Sequence, residues 1–124
     1  MTSTNDQQPS WIINTLDVDG PWGWRHLIQS HIWEALHDKL SNFEKMTWSE
    51  IEKNRKYNHS VEVWNLSTEA QNRLRQIKND NIGELFRFRL NGKQRLWGIR
   101  DRAVFKILWW DPEHEVCPST GADN

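Results

Sequence analysis

The chain has 124 residues, with 16 Lys or Arg against 17 Asp or Glu, and a formal net charge of −1 at pH 7. This length fits one compact domain, and the near-neutral balance excludes a protein that holds nucleic acid or membrane through its overall charge. The single cysteine excludes an intrachain disulfide, and no apolar run approaches the ~20 residues of a membrane span, so we expect a cytoplasmic protein with no membrane partner.

The N-terminal part of the chain predicts a tail, a strand and a helix. Residues 1–10 are polar and are expected to form a flexible tail. The β-rich stretch that follows predicts a first strand over about residues 11–18. From Trp24 to Phe43 apolar residues recur at intervals of three and four, which predicts an amphipathic helix.

The middle of the chain predicts two further helices. The sequence TWSE, from Thr47 to Glu50, fits a capping box, so a short helix is expected to follow to about Arg55. The segment 54–66 is turn-like with a possible short extended piece. The segment 67–77 begins with a Ser/Thr cap and carries apolar residues at helical spacing, which suggests a third helix.

Three strands are predicted in quick succession near residues 85–90, 94–100 and 103–110, joined by connections short enough for hairpins. The polar residues 118–124 are expected to form a flexible tail, which leaves a single domain over residues 11–117. The predicted fold class is α+β: a small antiparallel sheet, made of the first strand and the three C-terminal strands, with two to three helices packed on one face.

The register of these strands can be tested against burial. A two-residue first loop would place Arg95 opposite Phe88, which would bury an unpaired guanidinium in the core. A three-residue loop ending at Gly92 avoids this cost and pairs Arg87 with Arg95. A two-residue second loop at 101–102 then places Gly98 opposite Phe105, Leu96 opposite Ile107 and Trp97 opposite Lys106.

Two faces result from this register. The predicted core face carries Phe86, Phe88, Leu96, Phe105, Ile107 and Trp109. The predicted basic face carries Arg87, Arg89, Arg95, Trp97, Lys106 and Trp110, with Ile99, Val104 and Leu108 among them. Between residues 85 and 110 there are seven basic residues and one acidic residue, a net charge of +6, so the rest of the chain carries −7. The sequence therefore predicts a basic sheet within an acidic protein.

A face of this composition suits an anionic partner. The planar fork of arginine matches phosphate, and like charges placed opposite each other destabilise a bare sheet. The nine tryptophans exceed any other aromatic type, and Trp97 and Trp110 offer rings on which bases can stack. Arg100 and Lys106 add candidate RNA contacts. The alternative, given about equal weight for each arginine, is that the sheet face is solvated and its arginines shield aromatic surface.

One histidine stands close to this face. His114 follows the last strand among three carboxylates and is a candidate general acid or base, although a solvated turn histidine is the stronger interpretation when it is taken alone. His59 is interpreted as a loop histidine. The histidines of the first helix are spaced by five and six residues and so do not share a face, and no metal site or cofactor motif is predicted.

The order of elements, and the stretch LFRFRL…QRLWGIRDRAVFKILWWDPEHEV, resemble the RelE/ParE toxin superfamily. The resemblance covers about the last forty residues well and the first eighty only in element order. It implies a small sheet with helices on one face, a metal-independent endoribonuclease acting on ribosome-bound mRNA in the RelE-like branch, and a neighbouring antitoxin that wraps the toxin. Many members carry tyrosine just after the closing valine, where this chain has Cys117.

The resemblance implies a catalytic set of Arg87, Arg89, Arg95 and His114. We therefore expect a RelE-like toxin that cleaves mRNA without a cofactor, with mRNA, the ribosome and a cognate antitoxin as partners. Because the ParE branch keeps the fold without the ribonuclease, fold alone does not decide the activity. The alternative is a non-catalytic module of the same fold whose basic, aromatic sheet face binds an acidic protein.

Overall fold

A computed structural model describes residues 4–29, 33–54, 56–79 and 81–118 of the chain. Its strands are β1 (Ser10–Ile12), β2 (His59–Glu62), β3 (Glu84–Arg89), β4 (Arg95–Asp101) and β5 (Val104–Asp111), and its helices are α1 (Trp33–Glu44), α2 (Trp48–Glu52) and α3 (Thr68–Gln76). Short 3₁₀ turns lie at Thr4–Asp6, Trp24–Gln29 and Val63–Asn65. This mixed content confirms the predicted α+β class.

The strands form one sheet in the order β1-β5-β4-β3-β2. Neighbouring strands are antiparallel except β1 and β5, which run parallel. The sheet therefore has one parallel pair that was not expected. It also has a fifth strand, β2, where the sequence suggested only a possible extended piece.

The two predicted N-terminal elements are shorter in the structure. β1 ends at Ile12, and the chain then turns but stays beside β5, since the Thr15 hydroxyl donates to the Ile107 carbonyl at 2.8 Å and the Asp17 N–H to the Leu108 carbonyl at 3.0 Å. The single helix expected over 24–43 is divided into a 3₁₀ turn and α1. α2 begins at the predicted capping box, where the Glu50 N–H donates to the Thr47 hydroxyl.

The predicted register was wrong by two residues in the first hairpin. Phe86 lies opposite Gly98, Phe88 opposite Leu96, and Arg89, rather than Arg87, opposite Arg95. The cause is a longer connection, closed by a hydrogen bond from the Leu90 N–H to the Gln94 carbonyl. A shift of two residues keeps every side chain on its predicted face, because side chains alternate with a period of two.

The second hairpin was also wrong by two residues near its turn. Asp101 pairs with Val104, and Ile99, rather than Trp97, lies opposite Lys106. Farther along, Trp97 pairs with Trp109 while the next residue, Gly98, pairs with Ile107, so Leu108 is the extra residue of a β-bulge.

The bulge exchanges the faces of two tryptophans. Trp110, predicted on the basic face, lies in the core around Phe88, and Trp109, predicted with Phe86, lies on the opposite face with Trp97. A side chain at Gly98 would place its Cβ 2.4 Å from the Lys106 carbonyl oxygen. Glycine therefore allows the close approach of β4 and β5 at the bulge.

Two cores lie on opposite faces of the sheet. The first core packs α1 and α2 on the sheet and includes Leu36, Trp48, Ile51, Phe86, Phe88, Leu96, Phe105, Ile107 and Trp110. The second core packs α3 on the other face and includes Val61, Ala70, Leu74, Leu85, Trp97, Leu108, Trp109 and Val116. The prediction of two to three helices on one face holds for α1 and α2, whereas α3 covers the other face, because that face is itself too apolar to be left in water.

The segment from Thr4 to Ser10, predicted as part of a tail, contacts the rest of the domain. The Trp48 N–H donates to the Gln7 carbonyl at 2.9 Å, and Ser10 pairs with Val104 as the first residue of β1. Most of the predicted C-terminal tail, residues 119–124, lies outside the described residues.

Candidate functional site

Arg87 and His114 meet on the second face of the sheet. Arg87 Nη1 donates to His114 Nε2 at 3.3 Å, and Arg87 Nη2 donates to the Lys56 carbonyl at 3.0 Å. Arg87 is 0% and His114 9% exposed. Because guanidinium only donates, the contact makes His114 Nε2 an acceptor. The structure thus brings together two residues that were predicted separately from a strand and a turn.

Asp111 shapes the turn that carries His114. Its carboxylate accepts hydrogen bonds from the Glu115 N–H at 2.9 Å, the Val116 N–H at 3.0 Å and Trp97 Nε1 at 3.2 Å. His114 itself has a φ of 58°, a left-handed conformation that non-glycine residues seldom adopt. Burial raises the pKa of the Asp111 carboxyl above its usual value of 3.8, against the lowering effect of these hydrogen bonds. Buried Asp111 therefore stabilises the turn through these hydrogen bonds. From the sequence, Asp111 was considered only for its charge.

His59 lies beside Arg87 on the neighbouring strand. It is the first residue of β2 and is directly opposite Arg87 in the antiparallel pair, so the two side chains share a face. Its Nδ1 lies 3.0 Å from the Ser60 carbonyl oxygen. The interpretation of His59 as a loop histidine was wrong. The alternation in HSVEV, with Val61 buried and its two neighbours exposed, was the signal for a strand.

Arg89 lies two residues beyond Arg87 and is more accessible. Its guanidinium carbon lies 4.2 Å from the centre of the Tyr57 ring, a cation–π contact. The Arg89 N–H donates to Asn58 Oδ1 at 3.0 Å. An open groove of about 420 Å³ runs beside these residues and is also lined by Asn54 and Asn91. Tyr57 and the groove were not predicted from the sequence.

Arg95 is 2% exposed and holds the connection between β3 and β4. Its Nη1 donates to the Gly92 carbonyl at 2.6 Å and to the Gln94 carbonyl at 3.1 Å. It lies opposite Arg89 on one side and Asp111 on the other. The structure therefore places Arg95 in the same cross-strand row as Arg89, one of the predicted site residues, but with two of its hydrogen bonds made to its own loop.

The two tryptophans predicted to stack bases are buried. Trp97 is 0% and Trp110 3% exposed, and they lie in different cores. Trp97 donates its indole N–H to Asp111, which links the second core to the turn that carries His114. Neither ring presents a face to solvent on which a base could stack.

Arg100 and Lys106, the other predicted RNA contacts, lie apart from the Arg87–His114 pair. Arg100 forms an ion pair with Glu52, and its guanidinium carbon lies 4.0 Å from the centre of the Trp48 ring in the first core. Lys106 Nζ lies 3.7 Å from an oxygen of Asp101 near the turn between β4 and β5. These two cations therefore belong to the far end of the sheet.

No metal site accompanies these groups. Among the described residues, no three or more His, Cys, Asp or Glu side chains cluster as metal ligands. The described helices include none with both the length and the apolar character to cross a membrane. Comparison of the chain with models of protein families, with curated proteins and with solved structures finds no match.

Proposed function

We propose that the protein is a RelE-like endoribonuclease that cleaves mRNA without a metal ion. The observation that carries this proposal is the 3.3 Å contact between Arg87 and His114, residues 27 apart in the chain. A guanidinium beside an imidazole combines the two functions that cleavage of a phosphodiester needs: a positive charge for the phosphate and a group that moves a proton.

The reaction begins with the ribose 2′-hydroxyl, which attacks the adjacent phosphate. A bond forms between the 2′-oxygen and phosphorus, the bond from phosphorus to the 5′-oxygen breaks, and the products are a 2′,3′-cyclic phosphate and a 5′-hydroxyl. Negative charge builds on the phosphate oxygens during this step, where arginine stabilises it. His114 transfers a proton to or from a reacting oxygen.

The accessible cations make the first contact with the phosphate. Arg89 is half-buried and Lys56 is exposed, whereas both ends of the Arg87 fork already bond to protein atoms. Arg87 then supplies positive charge and holds His114, and Arg95 holds the loop beside Arg89. Since Trp97 is buried, a base stacks on the exposed side of the Arg89–Tyr57 pair instead.

We further propose that the substrate is mRNA on the ribosome, that a cognate antitoxin controls the activity, and that the protein acts in the cytoplasm. These expectations follow from the resemblance to the RelE-like branch. The local charge of +6 over residues 85–110 supports an anionic substrate.

The direct test is incubation of the purified protein with translating ribosomes in EDTA, followed by mapping of the mRNA ends. The proposal expects new ends with a 5′-hydroxyl and a 2′,3′-cyclic phosphate, in equal yield with and without EDTA. Intact mRNA in both samples would contradict it.

A second candidate function is a non-catalytic module that binds a protein. Burial of Arg87, Arg95 and Trp97 removes much of the basic, aromatic face on which the sequence predicted this binding. What favours a partner is instead a cleft of about 470 Å³ between β1 and α1, whose walls are almost wholly apolar. Two of its side chains, Ile13 and Trp33, are 67% and 53% exposed, more than an isolated protein usually leaves to water at one place.

A further inference from the structure

We infer that His59 is a second catalytic residue and serves as the general base that takes the proton from the 2′-hydroxyl. The inference rests on the proposed ribonuclease function. Its basis is the pairing of β2 with β3, which puts His59 directly opposite Arg87. Directly opposite residues of an antiparallel pair have Cβ atoms about 4.5–5.5 Å apart, so the His59 ring and the Arg87 side chain are neighbours on one face.

The hydrogen bond of His59 fixes which ring nitrogen can act as a base. Nδ1 lies 3.0 Å from the Ser60 carbonyl oxygen, and a carbonyl only accepts, so Nδ1 carries the proton of the neutral ring. The lone pair is then on Nε2. No hydrogen bond joins His59 Nε2 to any of the residues that the structure describes. The ring is partly exposed, so substrate can reach it.

The reaction needs two proton transfers, and two histidines adjoin Arg87, His59 through the strand pairing and His114 through a hydrogen bond. His59 Nε2 takes the proton of the 2′-hydroxyl as the 2′-oxygen bonds to phosphorus. As the bond to the 5′-oxygen breaks, the leaving oxygen takes a proton from the imidazolium form of His114, in which Nε2 carries a proton and has given up its hydrogen bond from Arg87. Arg87 pairs with His59 across the strands and contacts His114, so its positive charge is close to both rings. Each proton lost by one oxygen is balanced by one gained by the other.

Other groups near Arg87 fit the role of base less well. The Lys56 ammonium group only donates hydrogen bonds. Tyr57 is engaged with the Arg89 guanidinium. The remaining described histidines lie elsewhere: His26 contacts the Gly20 carbonyl at 3.2 Å and His37 is on α1.

A bridging 5′-sulfur substrate separates a general base from a general acid. In this RNA, sulfur replaces the 5′-oxygen of the scissile bond, and because a thiolate leaves without a proton, loss of the general acid no longer slows cleavage. Loss of the general base still does. The substrate is a synthetic mRNA with one such linkage at the mapped cleavage position, bound to ribosomes. Its cleavage rate is compared with that of the same mRNA without sulfur.

The variants are His59→Asn, His114→Ala and the matched control His37→Ala, whose side chain is 79% exposed on α1. Asparagine can still donate to the Ser60 carbonyl but cannot accept a proton. We expect His59→Asn to cleave both RNAs ~10²–10⁴-fold more slowly, as for loss of general acid–base catalysis. We expect His114→Ala to be slow on the oxygen RNA only, and His37→Ala to match the native protein on both.

A second variant distinguishes loss of the base from misfolding of the protein. In His59→Ala the ring is removed, and free imidazole added to the reaction should restore part of the rate, which only a folded site with a missing base allows. Full cleavage by His59→Asn would overturn the inference and leave the proposed ribonuclease standing. Rescue of His59→Asn by the 5′-sulfur would also overturn it, since His59 would then be the acid. No cleavage by the native protein would overturn both.

Discussion

Arg87 is the residue on which the candidate site depends, because two segments distant in the sequence meet it. It contacts His114 after the last strand and the Lys56 carbonyl before β2, and it lies opposite His59. Burial of a guanidinium is costly unless its donors find acceptors, and both terminal nitrogens of Arg87 find one. The position of the site therefore follows from the hydrogen-bonding needs of one strand residue.

The sequence identified Arg87 and His114 as candidates but did not predict their contact or their burial. The alternation of LFRFRL puts Arg87 and Arg89 on one face, and this is confirmed. Whether that face is open to water depends on the turn that Asp111 organises and on α3, which cover it from distant parts of the chain. Local alternation contains no information on such covering, so the exposure of Trp97 was predicted wrongly.

Phe88 should be among the most costly core residues to truncate. It is 0% exposed and its ring lies 4.6 Å from Phe43 and 4.9 Å from Phe105, measured between ring centres. We expect Phe88→Ala to lower the free energy of unfolding by about 3–5 kcal/mol, measured by urea denaturation. Trp64→Ala, at a side chain 72% exposed, is the control and should change it by less than about 0.5 kcal/mol. A loss below about 1 kcal/mol for Phe88→Ala would contradict the packing of the first core.

Arg89 should contribute one phosphate contact to RNA binding. We expect Arg89→Ala to weaken binding and to reduce the slope of log K against log salt by about 0.7–1, the value for one released counterion. The control is Arg25→Ala, at an exposed arginine paired with Asp19 in the loop after β1. Equal slopes for native protein and Arg89→Ala would remove Arg89 from the phosphate contacts.

Among the elements, the bulge in β5 has the largest effect on side-chain placement. One extra residue at Leu108 turns the last part of the strand over, so that Trp109 joins the second core and Trp110 the first. The run VFKILWW is apolar apart from Lys106 and gives both faces suitable residues, and no residue in it marks the extra position. The start of α2 could be predicted, by contrast, because the Thr47–Glu50 box contains its own hydrogen-bonding partners.

The capping box gives a prediction for α2. We expect Thr47→Ala to lower the free energy of unfolding by about 1 kcal/mol, because the Glu50 N–H loses its acceptor and Glu50 loses a donor. Chemical denaturation of Thr47→Ala and of Ser49→Ala, an exposed change within the same helix, measures the difference. Equal losses for the two variants would mean that the cap does not stabilise the helix.

Asp17 joins three elements and makes the fold sensitive to acid. It accepts from Arg73 of α3 at 2.8 and 2.7 Å and from the indole of Trp109 in β5 at 2.8 Å. Burial acts to raise the pKa of Asp17, but the hydrogen bonds from Arg73 and Trp109 outweigh it and hold the pKa below 3.8. A lowered folded-state pKa means that this stability is present above the unfolded pKa and is lost as the pH falls through the folded value.

We therefore expect Asp17→Asn to lower the free energy of unfolding at pH 7 by about 3 kcal/mol, as for removal of one member of a buried ion pair. The difference from the native protein should shrink as the pH falls below about 3.8. Urea denaturation across this pH range measures it, with Asp19→Asn, at a side chain 68% exposed, as the control. A difference that stays constant with pH would contradict the role of the Asp17 charge.

For the whole molecule, the uneven distribution of charge agrees with the position of the site. Residues 85–110 carry +6 and the remainder −7. The cations divide into two groups, with Arg87, Arg89 and Arg95 at one end of the sheet and Arg100 and Lys106 at the other. The sequence predicted the charge difference and the α+β class. The number of helix-covered faces and the parallel pairing of β1 depend on contacts between distant segments, which local patterns do not specify.

The most direct test of the account is a single-turnover comparison of native protein and His114→Ala, with RNA binding and RNA cleavage measured on the same samples. The account predicts nearly equal binding and a fall in cleavage of ~10²–10⁴-fold, because the change removes a proton carrier and leaves the accessible cations in place. Cleavage by His114→Ala at the native rate would contradict it.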